Sequence, residues 1–161
     1  MDSTRYYAKM ANTPEIQDRI YHYRRFSMDG SGRKIAYQTG DVIYEKATNL
    51  VYVLYFHKDD ETGDVSTNAK QNWEAQHIVW LPRRADLQQI YHEAQKKGTS
   101  HYEVLKNLAA WTRDYAEEIT TRVQKGFSME KIWLMFVMDK IYNRSWNVKS
   151  EKWEINKGGG E

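Results

Sequence analysis

The side chains in this sequence best suited to chemistry are arginines set among aromatic rings. Tyr21-His22-Tyr23-Arg24-Arg25-Phe26 interleaves rings with guanidinium groups, a mixture that stacks on bases and holds phosphates and that equally anchors protein interfaces. Arg83-Arg84 stands where a strand gives way to a helix. Two cations at the positive end of a helix dipole weaken that helix, so helix stability does not explain them. Tyr21, Tyr23, Arg24, Arg25, Phe26, Arg83 and Arg84 are therefore the candidate binding residues. The bland readings stand beside this one: twelve tyrosines in 161 residues make a chance cluster credible, and exposed arginines solvate any surface.

Catalytic constellations are harder to find. His22, His57, His77, His92 and His101 show no HExxH spacing, and adjacent His92-Glu93 diverge on a helix. Asp59, Asp60, Glu61 and Asp64 crowd carboxylates into one turn but lack the D-x-D-x-D-G alternation and closing glutamate of a calcium loop. Asp29-Gly30-Ser31-Gly32 lacks the Lys-Ser/Thr of a phosphate loop and reads as a hairpin turn. There is no G-x-S-x-G elbow, and Glu117-Glu118 read as solvated charge. With no cysteine, disulfides, thiolate metal sites and a cysteine nucleophile are excluded. The expectation is a chain with no catalytic residue, no metal site and no cofactor.

The elements that must carry these residues follow from local signals. Thr13-Pro14-Glu15 reads as a helix start, with a helix running from Pro14 to about Arg25. After the Gly30/Gly32 turn come three strands in a meander, Lys34–Tyr37, Val42–Glu45 and Leu50–Phe56. The last is apolar on both faces, which predicts a central strand covered on both sides. Residues 57–76 read as a hairpin tip and polar loop, and His77–Leu81 as a fourth strand. Pro82 opens a helix that stops before Gly98. Ser100-His101-Tyr102-Glu103 is a capping box, and the stripe Leu105, Leu108, Ala109, Thr112, Ala116, Ile119, Val123 predicts a long amphipathic helix behind it. Ser128 caps a segment, Ile132–Met138, that is apolar around its full circumference and should be buried. Trp146 and Trp153 pin a small terminal hairpin.

The fold class this predicts is α+β: an antiparallel meander sheet of three to four strands covered by three to four helices, one of them fully buried. Trp133, Phe136 and Val137 should share a core with Leu54 and Leu108. One domain is expected over residues 1–157, with 158–161 an unstructured tail. The net charge of +2 is too small for an electrostatic footprint, although residues 1–58 hold nine basic side chains against six acidic ones. No leader pattern and no run of about 20 apolar residues is present, so the expected setting is the cytosol, with no membrane contact.

Two stretches carry a resemblance. They are Trp80-Leu81-Pro82-Arg83-Arg84-Ala85-Asp86-Leu87-Gln88, and Ser128-Met129-Glu130-Lys131-Ile132-Trp133-Leu134-Met135-Phe136-Val137-Met138 continuing to Tyr142, Trp146-Asn147 and Trp153. Together they resemble a small family of hypothetical proteins from phages and prophages of Gram-positive bacteria, with a WLPRxxxLQ start, an SMExLWLxFVMxxxYxxxWN helix and a closing tryptophan. Lys131-Ile132 departs from that pattern, where a polar residue and leucine are expected. The segment between Trp146 and Trp153 is longer than usual, and residues 1–76 lie outside the resemblance. The family has no established catalytic residues, so no site is implied. What the resemblance implies is a phage accessory protein in the cytosol of an infected bacterium, acting without catalysis by binding a host or phage protein, a bacterial defence system being one target. The alternative is nucleic-acid binding in phage DNA metabolism.

Overall fold

Hydroxyl caps start the longer helices, and aromatic side chains decide where those helices meet. The computed structural model describes residues 4–19, 27–28, 34–35, 40–58, 62, 65–67, 78–95, 98–117 and 128–156. The chain divides into two compact units: Met1–Met10 with Pro82–Glu161, and Ala11–Leu81.

In the first unit, α1 (Arg5–Ala11) leads, followed by α3 (Arg84–Ala94), α4 (His101–Asp114), α5 (Met129–Tyr142) and the hairpin β8 (Arg144–Asn147) and β9 (Lys152–Ile155). Ser128 Oγ accepts the Lys131 N–H at 3.2 Å and starts α5. Asn143, in the left-handed region at φ 52°, ends it. Between these stops, every residue from Lys131 to Met138 is buried, as the apolar circumference predicts. Phe136 sits at the centre, 4.5 Å from the Tyr91 ring of α3 and 5.6 Å from those of Trp111 on α4 and Trp133.

The Ser100–Glu103 capping box is present. The Glu103 N–H reaches Ser100 Oγ at 3.2 Å, and the Glu103 carboxylate accepts the Ser100 N–H at 2.8 Å. The buried stripe of α4, however, is Val104, Leu108 and Trp111, while Leu105 is exposed. The phase therefore differs from the expected stripe, because the large Trp111 ring gains more by turning inward than Leu105 and Ala109 do. Ile119 and Val123 lie outside the described residues.

Sequence reading missed α1. Its signals are Thr4, whose Oγ1 accepts the Tyr7 N–H at 3.2 Å, and Tyr6, Tyr7 and Met10, buried along one side. Seven residues make too short a helix to persist alone, and tertiary bonds hold it. The Trp146 indole donates to the Tyr6 hydroxyl at 2.7 Å, the Trp153 indole to the Met10 carbonyl at 2.8 Å, and the Tyr7 hydroxyl to the Pro82 carbonyl at 2.6 Å. Lys9 pairs with Glu151. Trp146 and Trp153 face each other across the hairpin, as expected of them. Lys131, within the apolar segment, lies with its ammonium 5.3 Å from the centroid of the Tyr6 ring.

The second unit holds α2 (Pro14–Gln17), β1 (Ser27–Met28), β2 (Lys34–Ile35), β3 (Val42–Glu45), β4 (Leu50–Val53), β5 (Phe56–Lys58), β6 (Val65–Thr67) and β7 (Ile78–Trp80). Thr13 occupies the N-cap of α2, but its hydroxyl is turned to the Glu15 carboxylate instead of a helix N–H. The Gln17 amide then clamps β7, donating to the Trp80 carbonyl and accepting the Trp80 N–H, both at 3.0 Å.

The sheet is antiparallel with order β4-β3-β7, so β3 is the central strand. This corrects the placement of Leu50–Phe56 at mid-sheet. All four residues of β3 are buried, whereas β4 ends the sheet among the described strands. β2 pairs with β1, and β5 pairs antiparallel with β6 within the stretch read as a hairpin tip and polar loop. Leu54 packs with Ile43 and Ile78 in this unit's core. The protein is thus α+β, with helices, one three-stranded antiparallel sheet and two-stranded pairs.

Two outcomes follow. Trp133→Ala should destabilise the protein by about 3–5 kcal/mol in chemical denaturation, as loss of a buried aromatic does; an unchanged midpoint would contradict the burial of α5. Burial also pushes the Tyr6 phenol above its ordinary value near 10, against the opposing pull of the Trp146 N–H. The folded state therefore keeps a proton that the unfolded chain releases. Its stabilisation is present below the unfolded value and is lost as pH rises through the higher folded one. Tyr6→Phe should flatten the alkaline limb of a stability profile, and a limb of unchanged slope would contradict this.

Candidate functional site

Of the seven residues singled out by sequence, Tyr21, Tyr23, Arg24, Arg25 and Phe26 lie outside the described residues. The same is true of Asp59, Asp60, Glu61 and Asp64. Arg83 and Arg84 are described and exposed. Arg83 occupies the N-cap of α3 in extended backbone, but a guanidinium has no acceptor and caps nothing. Asp86 caps the helix instead: its carboxylate accepts the Arg83 N–H at 2.7 Å, with the Arg83 Nε 3.7 Å away. A negative side chain therefore sits in the first turn, and Arg83 forms an exposed ion pair with it.

The surface sequence reading missed is β4 with its flank. Val51, Val53 and Tyr55 alternate onto one side of the strand and are 36%, 61% and 49% exposed, while Leu50 is 54% exposed. Single exposed apolar residues are ordinary; three on one side of a strand and its flank form a patch. The opposite side explains how the strand is held. Leu54 is buried, Tyr52 packs on the same cluster, and the Tyr52 hydroxyl donates to the buried Glu45 carboxylate at 3.2 Å. Thr48 Oγ1 donates to the same carboxylate oxygen at 2.5 Å, which fixes the turn between β3 and β4. Tyr44 and Asn49 close that turn with a 2.6 Å bond, Asn49 adopting φ 58°. A rigid hairpin thus presents the patch. The signal for it was the tight Lys46-Ala47-Thr48-Asn49 turn, which places two strands side by side.

In the first unit, Trp111, Tyr115, Met135, Asp139, Arg144, Ser145 and Trp153 line a small open cleft. Trp111 stacks on Tyr115 at 5.2 Å, and its indole donates to Asp139 Oδ2 at 2.9 Å. Asn156 holds the other carboxylate oxygen at 2.8 Å. Sequence reading identified Trp153 as a hairpin pin, but the convergence of α4, α5 and β8 on it has no local signature.

His92 and His101, nine positions apart, stack at 5.1 Å, and His92 Nε2 lies 3.0 Å from the Thr99 carbonyl. Among the described residues, no three His, Asp or Glu side chains cluster to hold a metal ion, and no helix is long and apolar enough to cross a membrane. Comparison with protein families, curated proteins and solved structures finds no match to this chain.

Proposed function

We propose that this protein acts by binding another protein and performs no reaction of its own. The observation that carries the reading is the exposed apolar side of β4 and its flank, Val51, Val53 and Tyr55, set on a hairpin whose other side is held by Leu54, Tyr52 and Glu45. Covering a fully exposed side chain of this size contributes about 1.5–3 kcal/mol. Three that are about half exposed offer a few kcal/mol between them, a share of what association costs. Because the hairpin is already ordered, little of that gain is lost in fixing it.

The motif resemblance supplies the setting: a phage accessory protein in a bacterial cytosol, whose partner is a host or phage protein, a component of a defence system among them. The nucleic-acid alternative rests on Arg24, Arg25, Arg83 and Arg84, of which Arg83 is engaged with Asp86.

The test uses a photo-crosslinking residue at position 53 in a lysate of a Gram-positive bacterium. It should give a discrete protein adduct. Val51→Lys with Val53→Lys should abolish capture of that protein while circular dichroism and melting temperature stay near wild type. Capture that survives both lysines would remove the patch from the reading. Tight binding of nucleic acid, weakening steeply with salt, would favour the alternative.

A further inference from the structure

Val104, Leu108 and Trp111 bury one side of α4, and a second run of largely apolar residues lies on its exposed side. Tyr102, Leu105, Ala109 and Thr112 follow one another at intervals of three, four and three, which lines them up along the helix surface. Tyr102 is 75% and Leu105 53% exposed, Ala109 is exposed and Thr112 half-buried. Thr112 Oγ1 donates to the Ala109 carbonyl at 3.0 Å, so its hydroxyl proton is engaged within the helix. A stripe with this spacing is what another amphipathic helix packs against. Its N-terminal half is bulky and its C-terminal half small, so a helix laid along it approaches closely at Ala109 and Thr112.

The border of the stripe selects the occupant. Lys106 and Arg113, both exposed, stand four positions after Tyr102 and Ala109 and edge the stripe on its solvent side. Of the acids further round the helix, Glu103 is held by the Ser100 cap. Asp114 meets Arg113 at 3.4 Å in an exposed pair, a kind that contributes little and is readily exchanged.

A second copy of α4 fits this border badly. Packed antiparallel, it sets Lys106 and Arg113 against their own counterparts; packed parallel, it needs the side of Leu108, which is buried within the unit. Tyr102 and Leu105 are the only large side chains of the stripe, and they fall well short of the about 800 Å² per partner that a stable dimer covers. An anionic membrane would face Glu103 and Asp114 as well as the two basic groups, whereas helices that lie on such surfaces carry a broad basic face.

We propose that α4 holds an amphipathic helix of another protein, apolar along one line and acidic beside it, with its carboxylates on Lys106 and Arg113. The stripe and the β4 patch belong to different units, and each is tested without the other.

The probes are two synthetic amphipathic peptides long enough to span α4, identical along their apolar line and flanked by glutamates in one and lysines in the other. Titrated into the full chain, the glutamate peptide should bind saturably and move the amide resonances of Tyr102, Leu105 and Ala109. The lysine peptide should bind at least tenfold more weakly. Lys106→Glu with Arg113→Glu should reverse that order. The comparison of the two peptides on the unaltered chain needs no variant, so it stands even if the double variant fails to fold. No saturable binding, equal affinity for the two peptides, or shifts confined to residues outside α4 would overturn the proposal. So would self-association in sedimentation that Leu105→Glu abolishes, which would make a second copy the occupant, or binding to phosphatidylserine vesicles that the same variant abolishes.

Discussion

The bond from the Trp146 indole to the Tyr6 hydroxyl joins residues 140 positions apart in the middle of a buried contact, and the first unit depends on it. Closing a loop of that length costs about 4 kcal/mol in chain entropy. Two indole hydrogen bonds, at about 1 kcal/mol net each, do not offset this. Burial does: Tyr6, Tyr7, Met10 and Trp146 are each less than a tenth exposed, and a large apolar side chain contributes about 1.5–3 kcal/mol when fully covered. The hydrogen bonds then set position, because a buried indole N–H or phenol left without a partner would cost more than the bond itself contributes. In this way a helix of seven residues, too short to form alone, becomes part of the core.

Helix α5 is the other half of that arrangement. Its apolar circumference meets α3 and α4 through Phe136, Tyr91 and Trp111, and Lys131 places its ammonium at the Tyr6 ring. The Trp111 indole reaches back to Asp139, so α4 and α5 are joined by a directed bond as well as by packing. The cleft is a by-product of this geometry. Residues of α4, α5, β8 and β9 line the space left between these elements. The strand patch has a different origin. In the second unit the side of β4 bearing Leu54 is buried, while Val51, Val53 and Tyr55 on the other side are exposed.

What could be read in the sequence follows the distance over which each feature is determined. Ser100 with Glu103, Ser128, and the run from Ile132 to Met138 are local signals, and each gave the element it predicted. Helix α1 is determined by Trp146 and Trp153, far along the chain, and its own residues carry only Thr4 as a cue. Leu50–Phe56 was placed at mid-sheet because its apolar residues fall on both faces, a pattern that does not separate a central strand from the outer position β4 takes among the described strands. The stripe of α4 was misphased because counting aliphatic residues left out Trp111. Of the cleft, Trp153 was visible as a hairpin residue, while the Trp111–Tyr115 pair of α4 and Arg144 become neighbours only once α4, α5 and β8 are assembled. Asp86, three residues after Arg83, could have identified that arginine as part of an ion pair.

Native-state hydrogen exchange, followed at the indole N–H groups of Trp146 and Trp153 and at the amides of α1 and α5, tests most directly whether the two chain ends form one cooperative core. If they do, the two indoles and the protected amides of α1 exchange with the same opening free energy as the slowest amides of α5. Exchange of α1 and both indoles at the rate of exposed surface groups, while α5 stays protected, would show that the Trp146–Tyr6 contact is peripheral and would contradict this account.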